Sequence, residues 1–365
     1  MNDYQLQKKQ LYSDRLRSVL TELPDFCQLY FRAIEPTTSI LTRYGYAVDL
    51  RSFFRFLGDG QVSRFTGRKS NEFSLSDLNS LTSLEIELYL AYISLYRSST
   101  TESDKIIENN ERAKARKLSA IRSLFKYLYK RSLLQTNCAA LVDTPKLHDK
   151  AIIRLEANEV ADLLDATENG SGMTKTQRRF HDSTKRRDVA ILSLFLGTGI
   201  RISELVGIDQ NDIDFSKNQF VVTRKGGNQE TLAFGPEVAA ALLDYLEERK
   251  TVIPVSGHES AFFLSMQRKR ITPRAVENLV KKYAQIATPL KKITPHKLRS
   301  TYGTMLYQES GDIYLVADVL GHKDVNTTRK HYAAMKEDRS RLAAKYIKLR
   351  EDEPVLPAGG DDHAN

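Results

Sequence analysis

The sequence predicts a mostly α-helical protein of two domains, with a small antiparallel sheet in the second. Apolar residues recur at helical spacing along most of the chain. Only Ile213 to Phe234 carries a clear β signal, two short runs around a glycine turn. The length of 365 residues suits two cores better than one.

Up to about residue 145 the chain reads as helices. One candidate runs from about Thr38 to Leu57, with Ala47, Leu50, Phe54 and Leu57 at helical spacing. Gly58 to Ser80 is rich in Gly, Ser and Asn and reads as a loop. A second helix opens at Thr82, where Glu85 completes a capping box, and continues through Leu88 and Tyr92. The third, Arg112 to Arg131, carries Leu118, Ile121, Phe125 and Leu128 as an apolar stripe. Its other faces hold Arg112, Lys114, Arg116, Lys117, Arg122, Lys126, Lys130 and Arg131, with no acidic residue. A solvated face normally mixes signs, so this one-sided charge suggests a surface laid against phosphates, the alternative being a helix that is merely solvated.

Residues 131–158 lose the pattern and read as an interdomain linker. A helix then opens near Glu156 with Val160, Leu163 and Leu164 on its apolar side, and Glu168 to Arg187 reads as an exposed polar insertion. Asp188 to Leu196 is a buried-type helix ending in the turn Gly197-Thr198-Gly199. In the β region, Gln219 to Thr223 and Glu230 to Phe234 flank Lys225-Gly226-Gly227-Asn228 as a hairpin. Helices resume at Pro236, near Thr272, at Pro295 and near Ile313, and the tail after Leu349 reads as disordered. No internal repeat is evident.

The net charge of +9 and pI of about 9.3 favour a polyanionic partner. The two cysteines, Cys27 and Cys138, form no CxxC pair and sit in no Cys/His cluster, which argues against a zinc site or a disulfide framework. The N-terminus has no signal-peptide core and no stretch suits a membrane span, so a soluble cytoplasmic protein is expected.

Six residues stand out as chemistry. Arg201 follows the glycine turn, Lys225 sits in the hairpin, and His296 and Arg299 lie three apart on one helix, which predicts a shared face. His322 follows Gly321, and Tyr332 lies ten residues beyond. Arginine forks bind non-bridging phosphoryl oxygens, lysine can protonate a leaving oxygen, histidine can move a proton near neutrality, and tyrosine can serve as nucleophile. Charge compensation of this kind needs no metal. Singly, each has an ordinary reading: the chain has 17 tyrosines, a hairpin lysine is usually solvated, and His331 has an equal claim as an imidazole on spacing alone.

The strings Gly-Thr-Gly-Ile-Arg201-Ile-Ser-Glu-Leu, Thr-Pro-His296-Lys-Leu-Arg299 and Leu-Gly-His322 resemble, in order, the catalytic boxes of the tyrosine recombinases. Lys225 falls 24 residues after Arg201, in the expected hairpin. The basic helix from Arg116 resembles the family's core-binding domain. The resemblance spans roughly Thr38 to Leu349 and is nearest the Xer-type recombinases, XerS-like ones in particular. It implies a helical (SAM-like) core-binding domain over 20–145, a mixed α/β, mainly helical catalytic domain over 155–350, and a disordered tail over 351–365. It further implies a 3′-phosphotyrosine intermediate on Tyr332, with Lys225 protonating the leaving 5′ oxygen. Arg201, Arg299 and His322 would stabilise the transition state and His296 would accept the tyrosine proton. A tetramer would join two inverted-repeat sites of double-stranded DNA through a Holliday junction, without cofactor, as in chromosome dimer resolution. The C-terminal helix near Arg339 to Leu349 would dock on a neighbouring protomer or pack on its own domain.

Two features depart from the family. Ser300 follows Arg299 where a second histidine is common, and the ten-residue interval from His322 to Tyr332 is nine in many members. The longer interval occurs among transposon integrases and leaves integration of a mobile element as an alternative. A type IB topoisomerase, a DNA-binding accessory protein and a metal-dependent nuclease are the other readings, although no ordered carboxylate motif supports the last.

Overall fold

The computed structural model describes residues 3–98, 105–146, 153–224 and 227–321. The chain divides near Ala151 and Ile152 into two compact units, each built mainly from helices.

In the first unit, α1 (Asp3–Leu20), α2 (Asp25–Ala33), α3 (Ile40–Phe56), α4 (Leu75–Asn79), α5 (Ser83–Tyr92) and α6 (Glu111–Lys130) share one core. Leu50, Phe53 and Phe54 of α3 and Leu118, Ile121, Phe125 and Leu128 of α6 are fully buried in it, as their spacing predicts. The Ser39 hydroxyl caps α3 by accepting from the Thr42 amide at 3.2 Å, and the Asn110 side-chain Oδ1 caps α6 by accepting from the Ala113 amide at 3.0 Å.

The candidate helix from about Thr38 to Leu57 is α3, and α1, for which no separate candidate was named, contributes Leu16 and Val19 to the core. Three sequence expectations change in detail. The predicted loop at 58–80 is a chain of short helical turns, because Phe65, Phe73 and Leu78 are apolar enough to be drawn inward. A second, two-stranded ribbon pairs β1 (Leu95–Ser98) with β2 (Lys105–Glu108), so Ile213 to Phe234 is not the sole β region. The expected linker also starts later, since Leu134, Cys138, Ala139 and Val142 still belong to the first core.

The second unit comprises α7 (Ala157–Asn169), α8 (Lys175–His181), α9 (Lys185–Thr198), α10 (Ile202–Leu205), β3 (Ile213–Asp214), β4 (Gln219–Thr223), β5 (Gln229–Ala233), α11 (Pro236–Thr251), α12 (Pro273–Ala287), α13 (Pro295–Ser310) and α14 (Ile313–Val319). The supposed insertion at 168–187 contains α8, started by a reciprocal Thr174–Gln177 capping box. Its His181 is buried, Nε2 lying 2.8 Å from the Thr167 carbonyl oxygen. Helix α9 is the axis of the unit, with α7, α11 and α13 packed around it. Its buried Asp188 accepts from the Tyr283 hydroxyl at 3.0 Å and pairs with Arg187 and Lys282 at 2.7 and 3.1 Å, so the carboxylate is compensated within the core. The sheet runs β3-β4-β5, antiparallel throughout, with Phe220 opposite Leu232 and Thr223 opposite Gln229. Phe220 and Val222 face the core while their neighbours are half-buried, the period-two pattern of a sheet covered on one side.

Among the described residues, no helix is long and apolar enough to cross a membrane. The tail and the expected helix at 339–349 lie outside the described residues.

Candidate active site

The site is built where three helix or strand ends meet. Helix α9 ends at Gly199, whose φ of +61° is the left-handed conformation that closes a helix. A Cβ there would come within 2.4 Å of the Tyr302 ring, so glycine is required twice over. Two residues later Arg201 opens α10, its amide bonded to a Glu204 carboxylate oxygen at 2.9 Å. Its guanidinium meets the other Glu204 oxygen at 2.8 Å and donates to the Leu320 and Gly321 carbonyls at 3.1 Å each.

Arg299, on α13 and buried, donates to the Gly199 carbonyl and to the same Leu320 carbonyl. A third arginine joins them. Arg224, the first residue after β4, donates to the Leu320 and Val319 carbonyls at 3.1 Å each, and its fork closes on Glu230 at 2.5 and 2.7 Å. Three guanidinium groups therefore converge on the carbonyl end of α14, where the helix dipole favours cations. The Leu320 oxygen has two lone pairs and receives three donors. The cluster is over-supplied with N–H groups, and one fork can turn to an incoming anion without leaving the carbonyl unsatisfied. Arg201 suits this best, because its side chain is 35% exposed against 9% for Arg224. Among the described residues, three positive charges face two carboxylates, Glu204 and Glu230, which leaves a positive excess.

The expected shared face of His296 and Arg299 resolves into two directions. Arg299 points inward, whereas His296, in the first turn of α13, is exposed and lines a cleft of 740 Å³. Arg274, Lys281, Lys291 and Lys292 lie around that cleft with a single acid, Glu277. The neighbouring Ser300 bonds back to the His296 carbonyl at 3.1 Å, a local role that requires only a hydroxyl. Burial pushes the Tyr302 hydroxyl above its ordinary pKa, against the pull of Arg299. Lys225, His322 and Tyr332 lie outside the described residues.

The basic helix α6 is more divided than its sequence suggests. Lys117 is buried, and with Arg116 it holds the fully buried Asp49. Arg122 donates to the Ala139 and Val142 carbonyls and to the Thr144 hydroxyl, fastening the chain that follows the helix. Lys114 reaches the Ser94 hydroxyl at 3.2 Å. Arg112 and Lys126 are exposed.

Arg224, Glu204 and Glu230 are the residues that sequence reasoning passed over. Glu204 was readable as a capping partner three residues after Arg201, and Arg224 as the neighbour of Lys225. Nothing in the sequence marks Glu230, whose part depends on the strand pairing.

A cationic cluster of arginine forks at a helix end, with a basic cleft that carries a histidine, has the donor chemistry that suits phosphate groups. The phage integrase family pattern matches residues 153–339, and the chain belongs to this family, the tyrosine recombinases, enzymes that cleave and rejoin DNA. Over 336 residues it is 31% identical to tyrosine recombinase XerS of Lactococcus lactis subsp. cremoris, covering 86% of this chain and 92% of that protein. It is 33% identical over 307 residues to tyrosine recombinase XerC of Caldanaerobacter subterraneus subsp. tengcongensis, covering 82% of this chain and 79% of that protein. The fold is similar to that of the XerH site-specific recombinase bound to a palindromic difH substrate. The TM-score there is 0.62 at 18% identity, over 84% of this chain and 80% of that one.

Proposed function

We propose that the chain is a Xer-type site-specific recombinase whose nucleophile is Tyr332. The observation that carries this reading is the convergence of Arg201 and Arg299 on the Leu320 carbonyl, two residues before His322. It supports a site in which both forks meet the non-bridging oxygens of one scissile phosphate. The Tyr332 oxygen attacks phosphorus as His296 takes its proton, the bond to the 5′ oxygen breaks, and Lys225 protonates that oxygen. His322 donates to the transition-state charge. The 5′-hydroxyl of a partner strand then reverses the step, which forms and resolves a Holliday junction and conserves the phosphodiester energy.

The helical unit, 20–145 in its core-binding part, holds the duplex chiefly through phosphates, with Arg112 and Lys126 as outward contacts and Lys114, Arg116, Lys117 and Arg122 shaping the helix that presents them. The catalytic part, 155–350, adds the basic cleft beside His296. Four protomers assemble on two inverted-repeat sites, and the role closest to the similar Xer proteins is resolution of chromosome dimers. Integration of a mobile element is the second reading, favoured by the ten-residue interval between His322 and Tyr332.

Covalent capture tests this. The protein is incubated with fragmented genomic DNA and a chelator, stopped with detergent, and the attached DNA is sequenced. The expected result is adducts through a 3′ end, focused on one inverted repeat and absent from Tyr332→Phe. A single chromosomal site supports dimer resolution, and a site at the ends of an element supports integration. Scattered adducts would make the enzyme a topoisomerase, and none at all, with DNA binding intact, an accessory protein.

A further inference from the structure

We infer that Arg224 is a positioning residue for strand cleavage, fixing the base of the β4–β5 hairpin against the end of α14 so that the adjacent Lys225 can protonate the leaving oxygen. The inference rests on the recombinase reading and adds a residue to it.

The argument begins with how completely Arg224 is held. It is 9% exposed, and four of its five N–H groups have partners: Nε and one terminal nitrogen on the Glu230 carboxylate, with the Leu320 and Val319 carbonyls taking the others. A guanidinium on the surface of a hairpin would gain little from one ion pair and would sample many rotamers. One that is buried, bidentate to a carboxylate and bonded to two helix-end carbonyls has one conformation.

Its place in the chain makes that rigidity consequential. Thr223 opposite Gln229 is the last pair of the β4–β5 ladder. Arg224 is the next residue, and Lys225 follows it. Glu230 lies on the facing strand opposite Val222, so the Arg224–Glu230 fork crosses the mouth of the hairpin diagonally and closes it. The same side chain grips Val319 and Leu320, the last residues before Gly321 and His322. A Cβ at Gly321 would come within 2.6 Å of the Arg224 guanidinium, which shows how closely the two segments are set. Glu204, already bonded to Arg201, lies 3.9 Å from the Arg224 guanidinium. One side chain thus ties together the segment bearing Arg201, the strand leading into Lys225 and the segment leading into His322. A lysine at position 224 would keep the charge and lose the fork.

The test separates positioning of an acid from plain stability. A duplex carrying the captured site is made in two forms, with an ordinary phosphodiester at the cleavage position and with sulfur in place of the bridging 5′ oxygen. A thiolate leaves without a proton, so the sulfur form does not need the lysine. With the oxygen substrate, Arg224→Ala and Arg224→Lys are expected to slow single-turnover cleavage by about 10²-fold, the lower range for a lost general acid. With the sulfur substrate both should come within about threefold of the parent protein. Glu230→Gln, at a half-exposed position that tolerates the change, should show the same oxygen-selective loss in smaller measure. Equal losses on the two substrates would overturn the inference, since the residue would then act on the fold or on the phosphate itself. Parent-like cleavage of the oxygen substrate by Arg224→Ala would also overturn it. If the parent protein forms no adduct on either substrate, the recombinase reading fails, and the inference falls with it.

Discussion

Each unit of this protein buries charge, and the two do so to opposite ends. In the first, a carboxylate is at the centre: Asp49 is wholly buried, Lys117 beside it is 9% exposed, and Arg116 reaches in from the surface. Burial pushes the Asp49 pKa upward while Lys117 and Arg116 pull it down, and the group is closed to anything outside the helix pair α3–α6. In the second unit the centre is a backbone carbonyl, and three arginines surround it with more donors than it can use. The first arrangement is electrostatically finished. The second, among the described residues, carries more positive charge than its two carboxylates offset and sets three donors on the one Leu320 carbonyl. Counting basic residues along a sequence does not separate the two cases, but asking what each cation already faces does.

The largest expected effect lies in the unfinished cluster. Arg299→Lys keeps the charge and loses the fork that spans Gly199 and Leu320. Single-turnover cleavage should fall by about 10²- to 10³-fold, the scale of a lost transition-state donor, with DNA affinity little changed. A parent-like rate would break the contrast between the two units. In the finished cluster the loss should be one of stability. Lys117→Ala leaves a buried carboxylate short of its closest shielded partner and should cost the first unit about 3–5 kcal/mol in denaturant unfolding, whereas Arg116→Ala, at a 53% exposed side chain, should cost about 1 kcal/mol or less. Equal costs would mean that the two cations share the carboxylate alike and that burial of Lys117 confers no advantage.

Helix α6 sharpens the comparison further. Lys126→Ala should lower the salt dependence of DNA binding by about one unit of slope without changing the melting temperature. Arg122→Ala, which removes three bonds to the 139–144 segment, should lower the melting temperature and leave the slope alone. The smallest effect concerns pH. Lys291 donates to Glu159 at 2.6 Å and holds its carboxyl below the ordinary glutamate pKa. A depressed acid contributes stability that is present above its ordinary value and lost as pH falls through the lowered one. Glu159→Gln should therefore flatten the stability–pH curve on the acid side by a small amount, and an unchanged curve would assign that slope to other carboxylates.

The helices were legible from apolar periodicity in α3 and α6 and from a capping box in α5, and the sheet was legible from its two β-rich runs and glycine turn. Segments held by tertiary burial were not. The turns at 58–80 read as a loop because their polar majority hides Phe65, Phe73 and Leu78, and α8 was missed because its charged surface conceals His181. The arginines of the site were readable as residue types in order, but their convergence was not. Arg201 and Arg299 meet across 98 positions through the end of α14, and Glu230 enters only by strand register. The inward turn of Lys117 and Arg122 was equally hidden, because a helical wheel says which face a cation occupies and not what waits beneath it.

The closeness of Gly321 to Arg224 also constrains how this sequence can drift. Gly321 has a φ of +57°, which few residues other than glycine accept, and any side chain there would collide with the guanidinium. A side chain at 321 therefore requires the Arg224 guanidinium to move or residue 224 to be shortened, and a shorter residue 224 frees the glycine from one of its two constraints. The two positions, 97 apart in the chain, are thus expected to change together.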